Sequence, residues 1–448
     1  MTPAFHAGVE LPKAPANSGP ALDVDAQGWV RLSVLAVGLC FFINAIDGMN
    51  VLLMSYLAPS LAKEWGLAST TLGIVFSSAL VGMAIGGLCI APLGDRLGRR
   101  PLILAALFLM SAGMVASGFS ANVTQLILAR TAVGIGIGTV LACMAALVAE
   151  FAPPHRRNFA VGLLQGGYPI GATATGFLTA WALTNHSWRS ILLFSGFGSL
   201  AFFPLVYWLL PESASFLMHA QPRNALQRIN RIRGELKLSP LQALPATAKA
   251  EGHPGVLSAL LSKKLRHDTL LLWGAVFFGF IVLYSIVSWI PKLAIDAGLD
   301  PKSSIYAGAI YNLGAFAGTV LLSVLANRAG LKPLIVGFLL AAAALLILFG
   351  GVVMPVAAVL VTAFAIGVSL QGGFNGLYPL SACVYPVRMR SSGLGWAMGI
   401  GRAGAVIGPL LSGYILSLHL PLVVLFATLA VPLVIAALCT GAIRNAVH

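Results

Sequence analysis

Runs of roughly 20 apolar residues recur from residue 32 to residue 442, and they constrain this chain more than anything else in it. Each is long enough to cross a hydrocarbon core as a helix, the one open-ended element that satisfies its own backbone in lipid. The runs fall at 32–56, 70–93, 101–120, 122–148, 158–182, 189–210, 268–291, 303–326, 333–350, 353–382, 391–417 and 419–442, twelve in all. Composition agrees: 58% of the 448 residues are hydrophobic and 9% are charged, against about 25% charged in soluble domains. The first 30 residues lack a basic segment, apolar core and small-residue cleavage site in order, so the first span is expected to remain as an anchor.

A net charge of +14 raises the question of nucleic acid, and the placement of the bases answers it. With the N-terminus inside, Arg96, Arg99, Arg100, Arg156, Arg157, Arg328, Lys332, Arg388 and Arg390 fall in inner loops, whereas Lys63, Arg189, Lys292 and Lys302 fall outside. Basic residues concentrated on one side report topology: both termini cytoplasmic, in a cell's inner membrane, with lipid rather than nucleic acid as the surrounding partner. Cys40, Cys89, Cys143, Cys383 and Cys439 show no metal-like pairing, and no cofactor is implied.

A polar stretch at 211–267 divides the spans six and six. The expected organisation is a tail (1–30), a six-helix bundle (31–210), a cytoplasmic linker (211–267), a second bundle (268–442) and a short tail (443–448). The halves echo each other. Gly94-Asp95-Arg96-Leu97-Gly98-Arg99-Arg100-Pro101 aligns with Ala326-Asn327-Arg328-Ala329-Gly330-Leu331-Lys332-Pro333 at an offset of 232, and Pro153 and Arg157 align with Pro386 and Arg390 at 233. Two echoes in register indicate duplication, and parallel six-helix repeats make a site at the midplane between two rocking halves.

Asp47, Arg130 and Arg402 are the charges placed well inside spans, where each costs at least about 2.5 kcal/mol unless it has a use. Asp47 and Arg130 come to similar depth and suit either a permanent ion pair or a proton-coupling pair. Arg402 lies near the midplane with no acid of its half at that depth, which fits a guanidinium awaiting a carboxylate. Glu150, at the inner end of the fourth span, is expected to join Arg156 or Arg157 in a gate. The histidines fall in tails, loops or span edges, so no buried catalytic constellation is visible and an enzyme is not expected.

The loop Gly94-Asp95-Arg96-Leu97-Gly98-Arg99-Arg100 resembles the signature loop of the major facilitator superfamily, and Arg130 through Gly138 resembles the fourth-span motif of its proton-linked members. More narrowly, Asp47-Gly48-Met49-Asn50 with Ala58-Pro59, and Tyr385 through Gly393 followed by Gly395-Trp396 and Gly399-Ile400-Gly401-Arg402, resemble the aromatic acid:proton symporters. Pro211-Glu212-Ser213 also fits that family. The resemblance implies an all-α membrane fold of twelve helices in two pseudo-symmetric bundles. It implies import of a benzoate-type acid with protons, by a functional monomer. The alternatives are a facilitator for another small organic anion and a drug/proton antiporter.

On this reading Arg402 holds the carboxylate, while Trp396, Tyr284, Gln165, Asn312, Gln371 and Asn375 are candidates to face the cavity. Asp47 and Arg130 couple protons, and Asp95, Arg96, Arg99, Arg100, Glu150, Arg157 and Arg390 latch and gate. An aromatic in a span serves packing as readily as it serves a ligand. Asn50 stands where the family pattern has an acid, and Asn327 where the second loop has one, which leaves the proton stoichiometry and a second latch open.

Overall fold

A computed structural model describes residues 30–153, 156–236, 238–244, 256–352, 354–386 and 389–444. The N-terminal tail, Arg388, His6, His155, His253, His448 and the side chain of Asn327 lie outside the described residues. Twelve long helices carry the fold: α1 (Arg31–Trp65), α2 (Ser69–Leu97), α3 (Arg99–Gly118), α4 (Val123–Phe151), α5 (Arg157–Ala182), α6 (Trp188–Leu209), α7 (Arg266–Asp296), α8 (Pro301–Ala329), α9 (Leu331–Gly351), α10 (Val356–Val384), α11 (Arg390–Ser417) and α12 (Leu422–Ala442). Among the described residues no strand occurs.

Eleven of these helices are long and apolar enough to cross a membrane, which makes this a multi-pass membrane protein. The exception is α5, expected as the fifth of the twelve spans. It has the length, 26 residues, but carries Gln165, Tyr168, Thr173, Thr175 and Thr179. It nevertheless packs in the interior, between α1 and α8. Several helices outrun the predicted spans; α1 continues nine residues past 56 to Trp65, where Gly66 closes it at φ 62°. The linker contains the short helices Ala214–His219, Ala225–Glu235 and Val256–Leu260.

Within each half, helices touch backbone to backbone at glycines. A Cβ on Gly82 or Gly86 of α2 would meet the carbonyls of Thr131 or Ile135 on α4, and one on Gly134 would meet that of Ala79. The second half repeats this residue for residue: Gly314 and Gly318 of α8 face the Phe364 and Val368 carbonyls on α10, and Gly367 faces that of Tyr311. The α1–α5 and α7–α11 pairs match too, Gly171 against Ala45 and Gly404 against Phe277. All these positions are related by the 232 and 233 offsets seen in the loops. In lipid, where apolar surface alone does not drive helices together, such small-residue contacts let backbones approach and gain dispersion energy.

The two ends of the molecule differ. Call the end with the Gly94–Arg99 turn and the α12 terminus the terminal end. Hydrogen bonds between the halves cluster toward the far end: Ser55 Oγ donates to the Ser288 carbonyl at 2.7 Å, Ser77 Oγ to Val406 at 2.8 Å, and Thr173 Oγ1 to Ala309 at 3.4 Å. Phe76 meets Trp289 edge to face there, with ring centroids 5.1 Å apart. The glycines grade the opening. Along α2–α11, added Cβ atoms at Gly413 and Gly73 would hit backbone, one at Gly399 only touches Leu88 at 3.4 Å, and one at Gly395 meets nothing within 4 Å. Along α5–α8 the same sequence runs from Gly176 (2.7 Å to Ala309) through Gly166 (3.5 Å to Phe316) to Gly162, which is open. Both seams therefore splay toward the terminal end.

Gly134→Leu and Gly367→Leu should each destabilise the protein by about 3 kcal/mol in thermal unfolding in detergent, while Gly162→Leu, facing open space, should unfold near the wild-type temperature; equal midpoints for all three would contradict the packing argument.

Candidate substrate site between the halves

Arg402 comes from α11, twelve residues or about 18 Å from its terminal-end start. Its Nη1 donates to the Tyr284 hydroxyl at 3.2 Å, and its guanidinium carbon stands 5.7 Å from the Phe280 ring centroid. Phe280 and Tyr284, one turn apart on α7, stack with centroids 5.6 Å apart. Phe374 of α10 packs on Phe280 at 4.6 Å, and Tyr378 meets Phe374 edge to face at 6.1 Å. No carboxylate among the described residues pairs with Arg402. A cation held by one hydroxyl and the negative face of one aromatic ring is oriented without being neutralised.

Gln371, Asn375 and Tyr378 follow at i, i+4 and i+7 on one partly buried face of α10. Gln371 Nε2 donates to Asn375 Oδ1 at 3.1 Å, and Asn375 Nδ2 donates to Thr319 Oγ1 of α8 at 2.8 Å. Gln165 is exposed, yet it shares a face of α5 with buried Ala172 and Thr179, opposite the exposed stripe of Leu163, Ile170 and Leu178. Gln165 therefore turns away from the outer stripe of α5. Of this group, Tyr284, which Arg402 holds, borders a cleft between the halves.

Two expected lining residues lie elsewhere. Trp396 is six positions before Arg402, about 120° around the helix, on the stripe of exposed Ile407, Leu410 and Tyr414, and it stacks on Trp273. At 43% exposure it belongs to the outer surface of α11. Asn312 is 2% exposed, donates to the Gly308 carbonyl at 2.9 Å and sits by Tyr56, so it is part of the packing under the far-end seal. The aromatic wall of Phe280, Phe374 and Tyr378 was not anticipated. Its signal was present as aromatic pairs spaced i, i+4 on two helices, which is also how aromatics pack in any span.

Asp47 and Arg130 are each 1% exposed and do not form an ion pair. Arg130 Nη2 donates to the Asn50 carbonyl at 3.0 Å and Nη1 points at Met114 Sδ at 3.1 Å. Both Asp47 oxygens lack a hydrogen-bond partner. Asp47, Val51 and Met54 share one face of α1, and the last two line a narrow cleft with Arg130, Ser55 and Tyr284. Asn50 keeps its own side chain busy elsewhere, Oδ1 accepting from Ser195 Oγ of α6 at 2.9 Å.

At the terminal end the basic partner of Glu150 is corrected. Glu150 pairs with Arg99, not with Arg156 or Arg157, and accepts from Ser213 Oγ at 2.8 Å. Arg99 also pairs with Asp95 at 3.2 Å. Glu212 accepts from the backbone N–H groups of Arg100 and Ser213, while the Arg100 guanidinium lies 5.3 Å from the Tyr207 ring centroid. The reason is geometric: the turn at Gly98, with φ 100°, swings the start of α3 against the end of α4. This cluster ties together parts of the first bundle. Arg96, Arg157 and Arg390 are exposed and stand apart from it.

Residues 37–383 match the Major Facilitator Superfamily. The chain is 31% identical to the gallate transporter of Pseudomonas putida over 423 residues, covering 93% of this chain and 94% of that protein. It is 29% identical to a 4-hydroxybenzoate transporter of Acinetobacter baylyi, covering 93% of each. In structure it is similar to a D-xylose-proton symporter, with a TM-score of 0.71 at 17% identity over 92% of this chain and 98% of that one. These relatives are transporters and not enzymes, and the architecture of two six-helix halves is shared. With a family match over most of its length and a relative above 30% identity, this chain belongs to the major facilitator superfamily.

Proposed function

We propose that the protein is a secondary active transporter that imports an aromatic carboxylate of benzoate type together with protons, by alternating access, as a monomer in the cytoplasmic membrane with both termini inside. The observation that carries this reading is Arg402: an unneutralised guanidinium at mid-depth, set by Tyr284 and walled by Phe280, at the space between the halves. A carboxylate supplies the missing charge through two parallel hydrogen bonds, and its ring finds apolar and aromatic surface beside it. Relatives named for gallate and 4-hydroxybenzoate support the same class of cargo.

Asp47 is the proposed proton carrier. A carboxyl with no hydrogen-bond partner in an apolar wall is costly to hold charged and cheap to hold neutral, the property wanted in a group that takes up a proton with cargo and releases it when water arrives. Its helix face leads into the cleft between the halves. The sealed far end and splayed terminal end are the arrangement expected of the state open to the cytoplasm, and the Arg99–Glu150–Ser213 cluster would hold the first bundle rigid as it rocks.

In proteoliposomes, Asp47→Asn should lose accumulation of radiolabelled 4-hydroxybenzoate driven by an imposed pH gradient while still exchanging it; undiminished gradient-driven uptake would remove Asp47 from the coupling. Arg402→Ala should weaken equilibrium binding of benzoate by roughly a hundredfold, the scale of a lost charge-assisted pair, with Arg402→Lys restoring only part. Benzoate affinity that survives Arg402→Ala would refute the carboxylate role.

A further inference from the structure

Arg130 is, after Arg402, a second guanidinium deep within the spans that has no countercharge among the described residues. Its two contacts, a backbone carbonyl and a thioether, carry no formal charge, and its Nε has no partner. Asn50, whose carbonyl Arg130 holds, uses its side-chain Oδ1 to accept from Ser195 and offers Arg130 no charge. Holding a cation this way is expensive even beside polar groups, so it calls for a use. The guanidinium borders the cleft between the halves, where Tyr284, Val287 and Ser288 of α7 form the opposite wall.

Tyr284 links this cleft to the aromatic site, because its hydroxyl is the one Arg402 holds. Depth sets the spacing. Arg130 lies seven residues from the far-end start of α4 and Arg402 fifteen from the far-end limit of α11, or roughly 10 and 22 Å at the helical rise. Two unpaired guanidiniums thus stand about 12 Å apart in depth along a wall of aromatic and small residues. A flat ring with an anionic group at each end matches that layout: one carboxylate on each fork, the ring against Tyr284.

We infer that Arg130 is a second anion subsite, and that the preferred cargo is an aromatic acid bearing a second acidic group on the opposite side of its ring. This rests on the aromatic-acid reading above and narrows it. It also gives Asn50 a meaning: an acid there would supply Arg130 with an internal countercharge and compete with the cargo's second group.

The test is equilibrium binding to the full-length protein in nanodiscs by titration calorimetry, with benzoate, terephthalate (carboxylates at opposite ends) and phthalate (carboxylates adjacent), at a pH where all carboxylates are ionised. Terephthalate should bind roughly tenfold or more tightly than benzoate, phthalate should show no such gain, and Arg130→Gln should bring the terephthalate-to-benzoate ratio to about one. Equal wild-type affinities for benzoate and terephthalate, or a ratio that persists in Arg130→Gln, would overturn the inference. If Arg130→Gln does not fold, Asn50→Asp replaces it: the added countercharge should lower the ratio, and an unchanged ratio counts against the subsite. Benzoate binding without the terephthalate gain removes the subsite alone, whereas no binding of any aromatic acid removes the proposed function with it.

Discussion

Glycine against carbonyl is the contact on which this architecture rests. In lipid the outer surface of a helix gains nothing by leaving its surroundings, so association depends on how closely backbones approach. Gly82, Gly86 and Gly134 in the first half, and Gly314, Gly318 and Gly367 in the second, bring crossed helices to a separation that a single methyl group would forbid. Each half becomes a closely packed unit. The surface between the halves is sealed tightly at one end and graded to open space at the other, the layout that the proposed rocking of two rigid bodies would reverse without repacking either interior.

The charges follow from that arrangement. In the proposed transport cycle the site between the halves is the place in the core that water and cargo reach in turn, so it is where unpaired charge can be held. Arg130 borders the cleft between the halves, Asp47 lies on the helix face leading to it and Arg402 meets it through Tyr284, and among the described residues none of the three is in an ion pair. Pairing Asp47 with Arg130 would have made a quieter interior. It would also have cancelled the two properties a coupled anion carrier draws on, a carboxyl free to change protonation and a cation free to meet cargo. Among the charges that are paired, Asp95, Arg99 and Glu150 sit at a helix-end turn and hold helices of one bundle together.

Much of this was legible in the residues. The apolar runs foretold the helices, the Asp95 loop and its echo foretold the duplication, and depth counting along α11 singled out Arg402. Where reading the chain fell short, the cause was rotational or tertiary. Trp396 stands in the same motif as Arg402 but turns to the outer surface, because six residues is a poor multiple of 3.6. Asn312 is polar and central yet spends itself on its own helix and on Tyr56. Glu150 had two arginines near in sequence and chose a third, Arg99, that the Gly98 turn delivers from another helix.

The linear order of residues thus determined that the chain spans a membrane, that it does so in two related halves, and which charges lie deep, because hydrophobicity, repetition and helical rise are properties of the chain itself. Only the tertiary structure decided which charges meet. Asp47 and Arg130 share a depth but not a partner, Tyr284 and Phe280 surround Arg402 from a helix more than a hundred residues away, and the halves close at one end. Those outcomes depend on how helices are rotated and splayed against one another, a matter of glycine contacts distributed over eight helices, and no local stretch of sequence carries it.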